Sequence, residues 1–310
     1  MTRVGVVDLG TNSTRLLVAE VEDGSVRELD RRLTITRLGE GVDERHLLLP
    51  TALARVRNTL ADYRRVLEAS GVVRTLAVAT SAVRDAENGE AFLGEVEWSY
   101  GFETRLLTGD EEARLTYTGV AAGRTLAPQT LVVDVGGGST ELVLGTWHRR
   151  LDLGCVRLTE RFLRSDPPTP AELTACREHI RAVLPEEPGP THALGVAGTV
   201  TTLAVLSLGL DEEDPALVHG HRLEATWIDA EVDRLASLPV SELKQIRGMH
   251  PDRAPVIVAG ALVVAEMLRH LELAELEVSE QDLLHGAALA AAELPARADG
   301  PAPPGAYTCC

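Results

Sequence analysis

An α/β protein of two similar domains is what this sequence predicts, and two observations carry that prediction. The first is an internal repeat: VVDLGTNSTRLLV from Val6 matches VVDVGGGSTELVL from Val132 at a constant offset of 126 residues. In each copy an apolar run ends in Asp, a glycine-bearing turn with Ser-Thr follows, and a second apolar run resumes, which reads as a β-hairpin. The second observation is that each hairpin is followed by the same series, a third strand-like segment and then helices alternating with a strand. A chain of 310 residues, 45% hydrophobic and 25% charged, is long enough to bury two separate cores.

The elements follow in order. After the first hairpin the pattern predicts a strand from Arg27 to Leu38, a helix from Thr51 to Ser70, a strand from Thr75 to Thr80 and two further helical stretches. The segment Ala121 to Pro128, AAGRTLAP, reads as the hinge. After the second hairpin come a strand-like segment from Arg150 to Leu158, a helix from Ala171 to Leu184, a strand from Ala193 to Ala197 and more helices. The longest apolar stretch, Ala254 to Leu268, is interrupted by Glu266 and is shorter than the roughly 20 residues a membrane helix needs, so it should be a buried helix. Arg253 stands near the start of the helical pattern Pro251 to Leu271, which reads as core and not as a binding surface. A last helix, Gln281 to Leu294, is expected to pack back on the first domain. Residues 1–123 and 124–280 would form the two domains and 295–310, rich in Pro, Ala and Gly, a disordered tail. A three-stranded meander followed by alternating helices and strands is the signature of the ribonuclease-H-like unit. Two such units with a cleft between them make the actin / sugar kinase / heat-shock ATPase architecture.

Charge narrows the partners. A net charge of −17 argues against a broad nucleic-acid or anionic-membrane surface, because such partners need an extended positive field. It leaves room for a small phosphate ligand: screening acts over about 8 Å at physiological salt, so converging arginines and backbone amides can hold an anion inside an acidic protein. The N-terminus, MTRVGVVDLG, lacks the apolar stretch of a secretory signal, and Cys155 and Cys176 lack metal-type spacing. A cytoplasmic location is therefore expected. Cys309 and Cys310 end the chain in the manner of a prenylation signal, but the flanking PAPPGAYT reads as a loose polar tail.

Three glycine turns are the candidate phosphate cradles. Thr11, Asn12 and Ser13 follow Asp8, and Gly136, Gly137, Gly138 and Ser139 follow Asp134; each set puts unhindered amides and a hydroxyl beside a strand-end carboxylate. Either turn alone would serve equally well as a plain hairpin, and it is the matching pair that points to a ligand. Gly198 and Thr199 close a strand and open the apolar run VTTLAVLSL, placing amides at a helix N-terminus. The segment Thr108-Gly109-Asp110-Glu111-Glu112 opens another helix with acidic residues, which by itself is ordinary helix-terminal charge. Arg15 either contacts phosphate or faces solvent, with solvent expected. His219 and His221 flank Gly220 and read as polar loop residues.

Six ordered segments then give a resemblance: DLGTNSTRLLVAE at Asp8, ATSAVRDAEN at Ala79, TGDEEARLTYTGV at Thr108, DVGGGSTELVLG at Asp134, GVAGTVTTLA at Gly195 and MHPDRAPVIVAGALVV at Met249. The sequence resembles the exopolyphosphatase / guanosine pentaphosphate phosphatase family in its compact two-domain form. The resemblance implies release of orthophosphate from the end of inorganic polyphosphate or from guanosine pentaphosphate. It makes Glu112 the base that activates water, puts Arg84 on the phosphate chain, and links Asp134 and Glu141 to metal and phosphate handling. With Asp8 these would hold Mg²⁺ or Mn²⁺, since hard oxygen ligands suit either ion and no His/Cys cluster suggests zinc. Longer members carry a further helical region that this chain lacks, so short polyphosphates are the expected substrate. A homodimer is left open as the assembly. The rival expectations are an ATP-dependent kinase or chaperone-like ATPase on the same fold, and a polyphosphate or alarmone sensor without turnover.

Overall fold

The computed structural model describes residues 1–186 and 189–295. The expected tail, apart from Pro295, and with it Cys309 and Cys310, lies outside the described residues. The chain divides into two compact units, Met1–Arg124 together with the segment from Leu283, and Thr125–Asp282.

In the first unit β1 (Thr2–Leu9), β2 (Ser13–Glu22) and β3 (Ser25–Ile35) form the meander; α1 (Val42–Arg45), α2 (Pro50–Ala69), β4 (Arg74–Ala79), α3 (Ser81–Arg84), α4 (Gly89–Tyr100), β5 (Glu103–Leu106) and α5 (Gly109–Val120) follow. The sheet order is β3-β2-β1-β4-β5, antiparallel through the meander and parallel from β1 to β4 and β5. β1 is central, and its alternate side chains serve two cores, as the two-residue strand period requires. Val7 and Leu9 pack with Val56, Leu60 and Leu67 of α2. Val4 and Val6 pack on the other face against Leu284, Ala287 and Ala291 of the last helix. α2 starts with Pro50 at its first turn, where the missing N–H is tolerated, and buries Val56, Leu60, Tyr63 and Leu67 at three- and four-residue spacing.

The second unit contains β6 (Thr130–Val135), β7 (Thr140–Leu144), β8 (Trp147–Leu151), α6 (Cys155–Phe162), α7 (Pro170–Val183), β9 (His192–Val196), α8 (Ala197–Leu208), α9 (Pro215–Val218), β10 (Arg222–Glu224), α10 (Ala225–Ala236), α11 (Val240–Leu243), a 3-10 turn at Ala254–Val256, α12 (Ile257–His270) and β11 (Glu275–Val278). Its sheet order, β8-β7-β6-β9-β11-β10, repeats that of the first unit and adds β10 as an antiparallel edge. Both units are thus ribonuclease-H-like. α12 is buried from Ile257 through Leu268, and the one acidic residue there, Glu266, is met by Arg177, Arg181 and Arg269. α13 (Leu283–Glu293) returns to the first unit, where Gly286 crosses α5 so closely that a Cβ would lie 1.9 Å from the Leu115 carbonyl oxygen. Among the described residues no helix is long and apolar enough to cross a membrane.

Three expectations are corrected. The third strand ends at Ile35 rather than Leu38, because Arg37 turns into the left-handed region at φ 49° and the chain folds over the first glycine turn. There the amides of Arg37 and Gly39 donate to the carbonyls of Asn12 and Thr11. The strand expected over Arg150–Leu158 is β8, ending at Leu151, followed by α6. The cause is Gly154: a Cβ there would sit 2.2 Å from the Gly137 oxygen, so the chain presses against the second glycine turn and bends into a helix. The helical stretches after β4 are separated by a short strand, β5, whose half-exposed residues give no clean alternation.

Candidate active site

The two hairpin turns share their construction. Gly10 N–H closes onto Ser13 O and Gly136 N–H onto Ser139 O, each at 3.0 Å. The Gly136 amide is thereby engaged inside its own turn, leaving Gly137, Gly138 and Ser139 at the tip. In the first unit the buried Thr11 hydroxyl shares a 2.8 Å hydrogen bond with the Ser81 hydroxyl, which ties the turn to the start of α3.

Hairpin register places Asp8 directly opposite Arg15 and Asp134 directly opposite Glu141. The repeat has therefore diverged at one position with a large electrostatic consequence. In the first unit Arg15 donates from Nε and Nη2 to Asp8 Oδ2, both at 2.8 Å, so the expected solvent-facing arginine is instead largely buried against the carboxylate. In the second unit two carboxylates, both buried, face each other across the hairpin, and like charges directly opposite are destabilising. Arg150 approaches Glu141 at 3.9 Å. Among the described residues no group of three or more His, Cys, Asp and Glu side chains gathers as a metal site. Mg²⁺ characteristically takes only one or two carboxylates and completes its shell with water and substrate phosphates. The Asp134–Glu141 pair fits that donor set, whereas Asp8 already carries its own counter-charge.

Glu112 and Glu111 separate cleanly. Thr108 and Glu111 form a capping box: the Thr108 N–H and hydroxyl donate to Glu111 at 2.8 and 2.9 Å, and Glu111 N–H returns to the Thr108 hydroxyl. These bonds hold the Glu111 carboxyl below its usual range. Glu112, one residue on, is buried at 6% exposure and accepts from Arg84 Nη1 at 3.2 Å. Arg84 Nη1 also donates to the Leu107 carbonyl at 2.6 Å, while Nη2 is buried with no hydrogen-bond partner. Two residues expected from motifs 28 positions apart are thus brought together as one pair with a guanidinium N–H left to give.

In the second unit the turn and the third loop are joined. The first amides of α6 are satisfied by the turn itself, Cys155 N–H by Gly136 O and Val156 and Arg157 N–H by Gly137 O, while Arg157 Nε donates to Gly138 O at 2.7 Å. Cys155 shares a hydrogen bond with Thr199, and burial pushes its thiol up to about 11, so it stays protonated. Arg253 Nη1 donates to Gly198 O at 2.6 Å and to Thr202 Oγ1 at 2.9 Å. A Cβ at Gly198 would lie 2.6 Å from that guanidinium, which would have to shift to admit it. Sequence reasoning treated Arg253 as the start of a core helix and passed over Arg157 and Ser81. These contacts span 55, 19 and 70 residues and leave no local signal; the available cue is that Arg253 and Ser81 each lie within a recognised motif. His221 bonds the Ser207 hydroxyl of α8 at 3.1 Å, with burial lowering its pKa, and His219 accepts from Glu280 N–H at 3.2 Å just beyond β11.

The fold and these loops define an α/β protein of two ribonuclease-H-like units. A model of the Ppx/GppA phosphatase family matches residues 17–293, and the chain belongs to that family. It is 39% identical to exopolyphosphatase 2 of Mycobacterium tuberculosis, across 94% of this chain and 99% of that protein. Among solved structures, the Aquifex aeolicus Ppx/GppA family member superposes with a TM-score of 0.77 at 33% identity, covering 93% of this chain and 97% of that one. An exopolyphosphatase from Cytophaga hutchinsonii gives a TM-score of 0.84 at 25% identity, covering 92% and 96%.

Proposed function

We propose that this protein is an exopolyphosphatase, a hydrolase that removes orthophosphate from the end of inorganic polyphosphate. The observation that carries the reading is the buried Glu112 carboxylate held at 3.2 Å by Arg84, in a chain akin over nearly its full length to a named exopolyphosphatase. Phosphoryl transfer needs an oriented nucleophile and neutralised phosphoryl oxygens, and little else from the protein. Glu112 accepts a proton from the attacking water. Arg84 holds that carboxylate through its Nη1 hydrogen bond and gives its remaining N–H to a phosphate oxygen. The glycine turn carrying Thr11, Asn12 and Ser13 in the first unit, and in the second unit Gly137, Gly138 and Ser139 together with Gly198 and Thr199, offer amides and hydroxyls of the kind that phosphate oxygens accept from. Asp134 and Glu141 would hold Mg²⁺ or Mn²⁺, and the bound ion would supply positive charge for the developing phosphate. Asp8, neutralised by Arg15, shapes the first turn. Arginines near these residues suffice for only a few phosphates, so short chains are the preferred substrate.

Phosphate release from polyphosphates of defined length, beside guanosine pentaphosphate and ATP with a sugar or acetate panel, tests the reading. Polyphosphate should be the faster substrate. Preference for guanosine pentaphosphate, a phosphorylated sugar, or binding without release would replace it with the corresponding alternative.

A further inference from the structure

The register of β6, β7 and β8 lines up three charged residues in one row across the second sheet: Asp134 opposite Glu141, and Glu141 opposite Arg150. The same row in the first unit reads Asp8, Arg15, Leu33. The basic residue has moved from the middle of the row to its end, and it meets the carboxylate differently. Arg15 hydrogen-bonds Asp8 through two nitrogens at 2.8 Å. Arg150 Nε stays 3.9 Å from Glu141, beyond hydrogen-bond distance. On the solvent side Arg150 Nη1 donates at 2.8 Å to Asp152, which is 57% exposed. Arg157, whose Nε is fixed on Gly138 O, approaches the same Asp152 oxygen at 4.0 Å and steadies it.

We infer that Arg150 is a positioning residue for the Asp134–Glu141 pair: a counter-charge that Asp152 holds short of Glu141, offsetting the repulsion between two buried carboxylates without taking the place of a divalent cation. The inference rests on the Mg²⁺ or Mn²⁺ reading of that pair. A guanidinium hydrogen-bonded to Glu141 would compete with the ion for the same oxygens. At 3.9 Å it still attracts them, because charge–charge attraction falls only with the first power of distance. When a cation binds, the guanidinium is repelled toward Asp152, the partner that it already has. Asp152 therefore acts on metal affinity through Arg150, and removing either residue should shift that affinity in opposite directions.

The test is calorimetric titration of Mg²⁺, and then Mn²⁺, into the full chain and into Arg150→Gln, Asp152→Asn and the double variant. Arg150→Gln should bind Mg²⁺ on the order of tenfold more tightly. Its Tm in chelator should fall below that of the native protein, and Mg²⁺ should restore it. Asp152→Asn lets Arg150 close on Glu141 and should weaken Mg²⁺ binding about threefold. In the double variant the Asp152 substitution should have no further effect, whereas a long-range charge effect would persist there. Unchanged or weaker binding by Arg150→Gln, or an Asp152→Asn effect as large in the double variant as alone, overturns the inference. Should Arg150→Gln fail to fold, the surface substitution Asp152→Asn still decides, with native Mg²⁺ affinity counting against Arg150. If none of the proteins takes up either ion, the metal reading fails and the role of Arg150 falls with it; native binding with unshifted variants overturns the role of Arg150 alone.

Discussion

Replacing Glu112 with Gln isolates the proposed base from its structural duties. The amide keeps the size of the carboxylate and still offers an oxygen to Arg84 Nη1, 3.2 Å away in the native protein. The 3–5 kcal/mol expected when a buried ion pair loses one partner outright is thus largely avoided. What remains is the lost charge assistance of one hydrogen bond, about 1 kcal/mol, or a fall in Tm of about 2–4 °C. The rate should respond far more: a base contributes typically 10²- to 10⁴-fold, equivalent to about 2.7–5.5 kcal/mol of barrier. Glu111→Gln is the matched control. Gln serves as well as Glu in a capping box, so only the helix-terminal charge is lost, about 0.3–1 kcal/mol, and turnover should stay near native. Single-turnover phosphate release, with melting and substrate titration on the same samples, measures all three quantities. Equal rate losses in the two variants would mean that the wrong glutamate has been assigned or that neither acts as a base.

Three further outcomes follow from the geometry. Asp134→Asn, which removes one of two facing carboxylates, should weaken Mg²⁺ or Mn²⁺ binding in a calorimetric titration and lower the maximal rate; full native activity in excess chelator would exclude the metal role. Gly154→Ala forces a methyl group to within 2.2 Å of the Gly137 oxygen, so about 1–3 kcal/mol of stability should be lost together with most of the activity; retention of both would show that the turn does not depend on α6. Burial alone would raise the Glu266 carboxyl, but Arg181, Arg269 and Arg177 outweigh it and hold it at about 2, below the ordinary 4.5. A depressed folded pKa gives stability that is complete above pH 4.5 and lost as pH falls from there to about 2. Glu266→Gln should flatten the fall in Tm across that window, and an unchanged slope would remove the cluster as its source.

The hairpins were legible because their information is local: an apolar run on each side of a glycine turn specifies strand, turn and strand. The register was legible too. Positions equidistant from the turn must face each other, so Asp8 with Arg15, and Asp134 with Glu141, follow from counting outward from residues 10–13 and 136–139. The same count places Arg15 against Asp8 and not in solvent. α6 was hidden for a different reason. The run LDLGCVRL alternates like a strand, and only the contact of Gly154 with Gly137, 17 residues away, bends it into a helix. The pairing of Arg84 with Glu112 joins the end of α3 to the first turn of α5, and no local pattern encodes it.

The most direct measurement of the central claim is the size distribution of products from a long polyphosphate digested briefly with the purified protein and a divalent metal. Terminal cleavage with release after every few cuts predicts free orthophosphate from the first time point, with every chain shortening gradually. Higher salt should favour long substrates by screening them from the acidic surface. Untouched long chains beside free phosphate would show processive digestion and refute the short-chain reading alone. Mid-length fragments without orthophosphate, or no cleavage at all, would contradict the assignment of this chain as an exopolyphosphatase.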